Sequence, residues 1–318
     1  MRCRSPKSSA ASPGSCSASS SWWSCWCSSR RSRCSCRTRC ERRALMEETD
    51  RVYVLDCGDV RIHAIRDAVL PIPVGNFPGA DAERAAALLG QLSESVPVTV
   101  NCFLLEAADG STCLVDTGVG TAIPGVEGAL ARRLAAGFEA PGRIFLSHFH
   151  IDHIGGLVTL AGLAPPETEI LVPEAELAYW TRPGFPLGAP VGQGRSRPVV
   201  AALLERFGDR LRPVAPDVEP LPGVRQVPLP GHTPGHTGIR VGETLIWGDI
   251  VHAPALQCAV PDWGYVADVE PQAAAEQRRN IFAETAEREI VVGGMHLPFP
   301  GFGRLRRSKE GYRFEPLS

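Results

Sequence analysis

Ser147-His148-Phe149-His150-Ile151-Asp152-His153 is the stretch on which the reading of this chain turns. Three histidines and a carboxylate fall within six residues, directly after the apolar run Arg143-Ile144-Phe145-Leu146 and directly before Gly155 and Gly156. The apolar run has the length of a short buried strand, which puts the cluster at a strand end. Side chains alternate faces along an extended segment, so His148 and His150 can point the same way and share a metal ion. The turn that follows can direct Asp152 and His153 to a second position. A lone histidine is more often a core or surface residue, but a composition this dense has few purely structural explanations.

Working outward, the other histidines stand at 63, 232, 236, 252 and 296. His232 opens the turn Gly231-His232-Thr233-Pro234-Gly235-His236, Asp249 ends the strand-like run Thr244 to Asp249, and His296 follows Glu289-Ile290-Val291-Val292-Gly293-Gly294-Met295. Each stands at or just after the end of an expected strand, and such ends can converge on one rim, where loops are held by a rigid scaffold. Asp116, in Leu114-Val115-Asp116-Thr117-Gly118, is a candidate to fix the tautomer of a ligand histidine, or else a turn residue closing a strand. His236 reads as supporting the turn rather than as a ligand. His252 either faces the substrate or caps a turn, and His63, within an alternating strand, reads as structural. Phe149, Trp180, Phe185, Trp263 and Phe299 fall near the expected rim, and two of the five are expected to line an apolar pocket.

The pattern resembles the metallo-β-lactamase superfamily, whose hallmark is an HxHxDH run followed by a histidine in a GHTPGH-type turn, an aspartate after a strand and a last histidine. All seven positions are present, and the resemblance spans residues 50 to 318. The ending Gly294-Met295-His296-Leu297-Pro298-Phe299-Pro300-Gly301, together with Gly311-Tyr312-Arg313-Phe314-Glu315-Pro316, is most similar to the branch of methyl parathion hydrolase and related esterases and lactonases. The resemblance implies an α/β chain folded as a four-layer αββα sandwich. It further implies one metal on His148, His150 and His232, another on Asp152, His153 and His296, and Asp249 bridging them. Asp152 and Asp249 then take catalytic roles, and Phe149, His236, His252 and Asp116 are candidates to support the ligands or touch the substrate.

That set implies two divalent ions, Zn2+ foremost, with Mn2+, Co2+ or Fe2+ also suited to imidazole and carboxylate. Two such ions lower the pKa of a bridging water from about 15.7 toward roughly 7. The hydroxide so formed would attack a small ester, lactone or phosphotriester. No GxSxG serine elbow accompanies the site. True β-lactamases of the fold lack the bridging aspartate, and the oxygen-reducing diiron branch has a glutamate where His150 stands; both readings recede. The alternatives are a mononuclear iron sulfur dioxygenase and a catalytically silent binding protein on the same scaffold.

Composition agrees with a globular protein of 318 residues, 44% of them apolar. Residues 1–46 are different in kind: they hold ten of the 33 Lys and Arg against one acid, Glu41, and seven of the eleven cysteines. The remainder carries 23 bases against 34 acids, which gives it no electrostatic footprint for nucleic acid. Residues 1–46 have too few aliphatic residues to offset their ordering entropy, and they read as a disordered or spurious extension before Met46, with 47–318 as the hydrolase-like domain. Their CxC spacings lack an accompanying histidine and receive no metal role. No stretch of 47–318 is long and apolar enough to span a bilayer, so the expected setting is cytoplasmic, with a small-molecule substrate, no membrane and room for a homodimer.

The order of elements reads as two β-then-α halves. Two hairpins (51–69 and 98–118) flank a Pro- and Gly-rich loop from Pro71 and a helix near 81–92. Helices are expected over 125–138, 154–163, from Glu174, over 199–207 and over 271–288. A loop covers 181–198, and 289–294 forms the last strand.

Overall fold

A computed structural model describes residues 52–159, 162–184 and 191–317. The reading of residues 1–46 and the pocket role of Phe185 lie outside the described residues.

The chain opens with the expected hairpin, β1 (Val52–Asp56) against β2 (Val60–Pro73). β2 runs further than its prolines suggested, because β1 covers only Arg61 to Ile65 among the described residues. Beyond that point one side of β2 is an edge, where a proline costs no ladder hydrogen bond, and Pro71, Ile72 and Pro73 pair with Pro97, Val96 and Ser95 of β3 (Ser95–Ala107). Between them lies α1 (Ala82–Leu89), capped at its start by the Asp81 carboxylate, which accepts from Arg84 N at 2.7 Å. β4 (Thr112–Val115) completes the second hairpin. The helix expected over 125–138 shortens to α2 (Leu130–Gly137), since Gly125 adopts φ 77° and the buried Asp67 carboxylate accepts from Leu130 N at 2.8 Å, fixing the start there.

β5 (Arg143–Phe145) leads into the histidine cluster, and α3 (Ile151–Thr159) begins inside it. Asp152 and His153 therefore sit on a first helical turn, not on a turn preceding a helix at 154. β6 (Glu169–Pro173) and α4 (Glu174–Thr181) follow as expected. Residues 191–198, read as loop, belong to α5 (Val191–Phe207) despite Pro198 within it. Tertiary contacts outweigh local propensity here: Gln193 and Ser196 are fully buried, Gln193 on Ala267 O and Ser196 Oγ on Ile151 N. The short edge strand β7 (Leu211–Val214) carries Pro213 and was not expected.

The second half runs β8 (Val224–Pro228), β9 (Thr237–Val241), β10 (Thr244–Ile246), α6 (Pro254–Gln257), α7 (Pro271–Glu287) and β11 (Val291–Gly293). β11 is not last, since β12 (Phe302–Ser308) and β13 (Gly311–Pro316) add an edge hairpin whose exposed arginines hid its strand pattern. The strands form one sheet in the order β1 to β7 and a second in the order β13 to β8.

Three apolar layers hold these sheets. Phe103, Leu105, Val115 and Phe145 of the first sheet meet Ile239, Ile246 and Phe302 of the second. The alternate residues Cys102, Leu104, Leu114 and Ile144 face α2, α3 and α5, while Leu245 and Val292 face Ile281 and Phe282 of α7. Both faces of each sheet are thus covered, giving the αββα sandwich, and burial on both sides explains why β3 lacks an alternating polar face. Cys102, Cys113 and Cys258 are buried free thiols and Cys57 is a half-buried one. Among the described residues no helix is long and apolar enough to cross a membrane. Phe103 is fully buried with its ring 5.1 Å from that of Phe302. Replacing it by alanine opens the layer between the sheets and is expected to lower stability by about 3–5 kcal/mol, read as a lower urea midpoint at unchanged slope.

Candidate metal centre

The rim is assembled from strand ends in both sheets. β4 and β5 run parallel, and their ends deliver Asp116 and the segment from Ser147 to His150. β10 and β11 also run parallel, and their ends deliver Asp249 and His296. His232 comes from the turn between β8 and β9. A helix starting at Ile151 needs close contact with the loop after β4: Thr117 N donates to His153 O at 2.7 Å, and a Cβ on Gly156 would lie 1.9 Å from Thr117 O. Only glycine fits there.

These ends bring together His148, His150, His232 and Asp249 in one group, and Asp152, His153 and His296 in a second. Within each group the ligand-type atoms lie within 4.8 Å of one another, and a third such group joins Asp249, His252 and His296. Asp249 Oδ2 stands 3.6 Å from His148 Nε2, 3.3 Å from His153 Nε2 and from His232 Nε2, and 3.2 Å from His296 Nε2.

Each histidine is oriented through its other ring nitrogen. His153 Nδ1 lies 2.8 Å from Asp116 Oδ2, and the same carboxylate accepts from Ser147 N and Ser147 Oγ at 2.7 Å. His232 Nδ1 lies 2.8 Å from Asp268 Oδ1, whose partner oxygen accepts from Tyr265 N at 2.8 Å. His296 Nδ1 lies 2.9 Å from Thr99 O, and the buried Asn101 amide donates to Gly294 O and Leu297 O on either side of that histidine. His148 Nδ1 faces Ser147 Oγ at 3.0 Å, and His150 presents Nδ1 inward with Nε2 on Gln193. His236 Nδ1 lies 2.8 Å from Leu229 O, and its Nε2 accepts from Asp249 N at 2.9 Å. It supports the turn and the aspartate, and its ring stays behind the cluster.

The donor set fits a cation. His150 Nδ1 faces His148 Nε2 at 3.0 Å and His232 Nε2 at 2.8 Å, while His153 Nε2 and Asp249 Oδ1 are buried without a hydrogen-bond partner among the described residues. Converging lone pairs and orphaned acceptors are costly unless something positive sits among them. The electrostatics of the donors show the strain. Burial, together with repulsion from His153, pushes His148 well below its ordinary pKa, and burial with His232 does the same to His150. Burial opposes charge on His232 too, but Asp249 and Asp268 outweigh it and raise it to about 9. His153 rises likewise against burial through Asp249, Asp116 and Asp152. Asp249, for which burial acts upward, is held well below the carboxylate range by His153, His296 and His148. A divalent ion held by these donors would compete with protonation of His153 and His232, whose pKa values are raised.

A cavity of about 120 Å³ opens over the cluster, bordered by His150, Asp152, Asp249, His252 and His296, with Leu70, Ile72, Val98 and Ile123 as apolar wall. His252 faces this cavity rather than capping a turn: its ring stacks on Tyr265 at 3.8 Å and its Nε2 lies 3.2 Å from Asp249 Oδ2. Burial, countered by Asp249, leaves His252 at about 4. The four described aromatic residues expected at the pocket, Phe149, Trp180, Trp263 and Phe299, lie elsewhere. Phe149 and Trp180 pack together in the core, because the Phe149 side chain points away from the faces of His148 and His150. Trp263 packs with Phe77 and Leu256, and Phe299 borders a separate surface hollow beside Arg66. His63 is structural, 3.1 Å from Glu106. Tyr265, Asp268, Gln193, Asn101 and Glu176 escaped the sequence reading. They stand alone in loops, strands or helix starts, and only their fold partners reveal them.

Fold and site together define a metal-dependent hydrolase. The sequence profile of the metallo-beta-lactamase superfamily matches residues 96–294, and the chain belongs to that superfamily. Among solved structures it is similar to the hydrolase AbOPH of the beta lactamase superfamily, at 25% identity and TM-score 0.76, over 84% of this chain and 97% of that one. AidC, a dizinc quorum-quenching lactonase, shares the fold at 24% identity and TM-score 0.76, over 84% and 97%. A probable metal-dependent hydrolase from Staphylococcus aureus shares it at 16% identity and TM-score 0.65, over 83% and 100%. A search of curated proteins returned no match.

Asp116 serves three donors around the cluster. Asp116→Asn turns an amide donor toward one of them, and the affinity for divalent metal is expected to fall about 10–100-fold, checked by chelator competition at unchanged circular dichroism.

Proposed function

We propose that this chain is a dinuclear hydrolase of small esters, with lactones and phosphotriesters as the neighbouring substrate classes, in keeping with the methyl parathion hydrolase branch. The observation that carries the reading is Asp249: one fully buried carboxylate lies between the His148, His150, His232 group and the Asp152, His153, His296 group and touches both. A bridging ligand needs that position. Two divalent ions held by these two groups, Zn2+ by preference of the donors, would supply water activated at neutral pH and polarise the substrate oxygen.

The chain's own residues supply the rest. Asp152 keeps 17% of its side chain exposed and borders the cavity, so its carboxylate can accept the proton of an attacking water while remaining 3.5 Å from His296 Nε2. Leu70, Ile72, Val98 and Ile123 bind the apolar part of the substrate and exclude bulk water, and the stacked pair His252 and Tyr265 closes the polar side. An uncharged ester with an apolar acyl or alkyl arm matches this division. The lactonase activity of AidC supports the same class.

Metal analysis and a panel of chromogenic esters, lactones and phosphotriesters test the reading together. Two ions per chain and turnover of at least one panel member are expected, and chelator should remove both. His148→Ala combined with Asp249→Ala is expected to abolish turnover in a protein that still folds. A single iron with oxygen uptake on persulfides, or full activity in the double variant, would overturn the assignment.

A further inference from the structure

Glu176 is the third residue of α4, completely buried, and belongs to neither ligand group. Its carboxylate accepts four hydrogen bonds. Oε1 takes Phe149 N at 2.9 Å and Trp180 Nε1 at 2.7 Å, and Oε2 takes Thr233 Oγ1 at 2.6 Å and Gly235 N at 3.2 Å. Phe149 is the residue between His148 and His150, and Thr233 directly follows His232. The turn is also pressed onto the helix backbone, since a Cβ on Gly235 would lie 2.0 Å from Glu176 N.

Given the dinuclear reading above, on which this rests, we infer that Glu176 is a positioning residue for one metal position only: it fastens the two loops that carry His148, His150 and His232 to each other. The other group is held by different means. His153 leans on Asp116, and the His296 loop hangs on Asn101 and Thr99 O. Four donors meeting one buried carboxylate give bonds stronger than neutral pairs, and they leave no acceptor capacity wasted. An amide cannot replace it, because its NH2 would face Thr233 and Gly235 N, and the latter has no freedom to turn into an acceptor. The two loops come from different sheets, after β5 and after β8; among the described residues no sheet ladder joins them, and a single backbone bond, Thr237 N to Ser147 O at 3.1 Å, accompanies the Glu176 contacts.

The test reads the two positions separately in the full chain. His296→Ala weakens the second position and leaves the first for measurement; His232→Ala does the reverse. Zinc affinity is then measured by chelator competition with and without Glu176→Gln in each background. The expected result is a loss of about 10–100-fold in the His296→Ala background and less than about twofold in the His232→Ala background. Equal losses in both, or none in either, overturn the inference while leaving the dinuclear reading intact if the parent chain binds two ions. A parent chain that binds no divalent ion defeats both. Should Glu176→Gln fail to fold, Thr233→Val removes one of the four donors and reads the same asymmetry: a smaller loss confined to the first position supports the inference, and an equal or absent loss overturns it.

Discussion

A single carboxylate oxygen, Asp249 Oδ2, lies within 3.2 to 3.6 Å of the Nε2 atoms of His148, His153, His232, His252 and His296, with the side chain only 2% exposed. Taking such a charge out of water is expensive, and the cost is offset only where positive partners and well-aimed donors surround it. Much of the surrounding architecture follows from that one requirement. The histidines must keep their inner nitrogens on the oxygen, so their outer nitrogens need fixed acceptors. Those acceptors must themselves be buried and anchored.

The anchoring is polar and sits between apolar layers. Asp116, Asp268, Asn101 and Glu176 are each at most 2% exposed, and each ties a ligand-bearing loop to an element that has its own hydrophobic support. Arg278 of α7 extends the network, donating to Ile250 O at 2.6 Å beside Asp249 while its guanidinium faces Asp268 at 3.9 Å. Sandwich and centre are therefore coupled: sheets set the strand ends, and buried polar contacts set the angle at which each imidazole arrives.

Most of the fold was legible because its elements carry strong local signals. The run from Ile144 to His153 marks a strand followed by ligands, and the helix 271–287 declares itself over seventeen residues. What stayed hidden lacked such signals. Residues 191–198 look like loop until Gln193 and Ser196 are seen buried against the site, and the β12–β13 hairpin hides behind charge on one face. Among site residues, those with distinctive chemistry in a dense or repeated pattern stood out. Glu176 in Pro173-Glu174-Ala175-Glu176 looks like an ordinary acid in a first helical turn, and Tyr265 and Asp268 stand in a loop with no spacing to mark them. Phe149 misled for the opposite reason. Its place between two ligand histidines suggested the pocket, but alternation along the strand end sends its ring to the other side.

The parallel pairs β4–β5 and β10–β11 lie in different sheets, so the donors around Asp249 are drawn from both halves of the sandwich. A cation at their meeting point would therefore act as a rivet as well as a reagent. It would reinforce a seam otherwise held by apolar packing and by polar contacts such as those of Asn101 on Gly294 O and Leu297 O, adding about 4 kcal/mol to the folded state when present at a thousand times its dissociation constant. Scarcity of metal would then be felt first as a loosening of the seam between the sheets, and the cell's supply of divalent ions would set how long the chain endures as well as how fast it works.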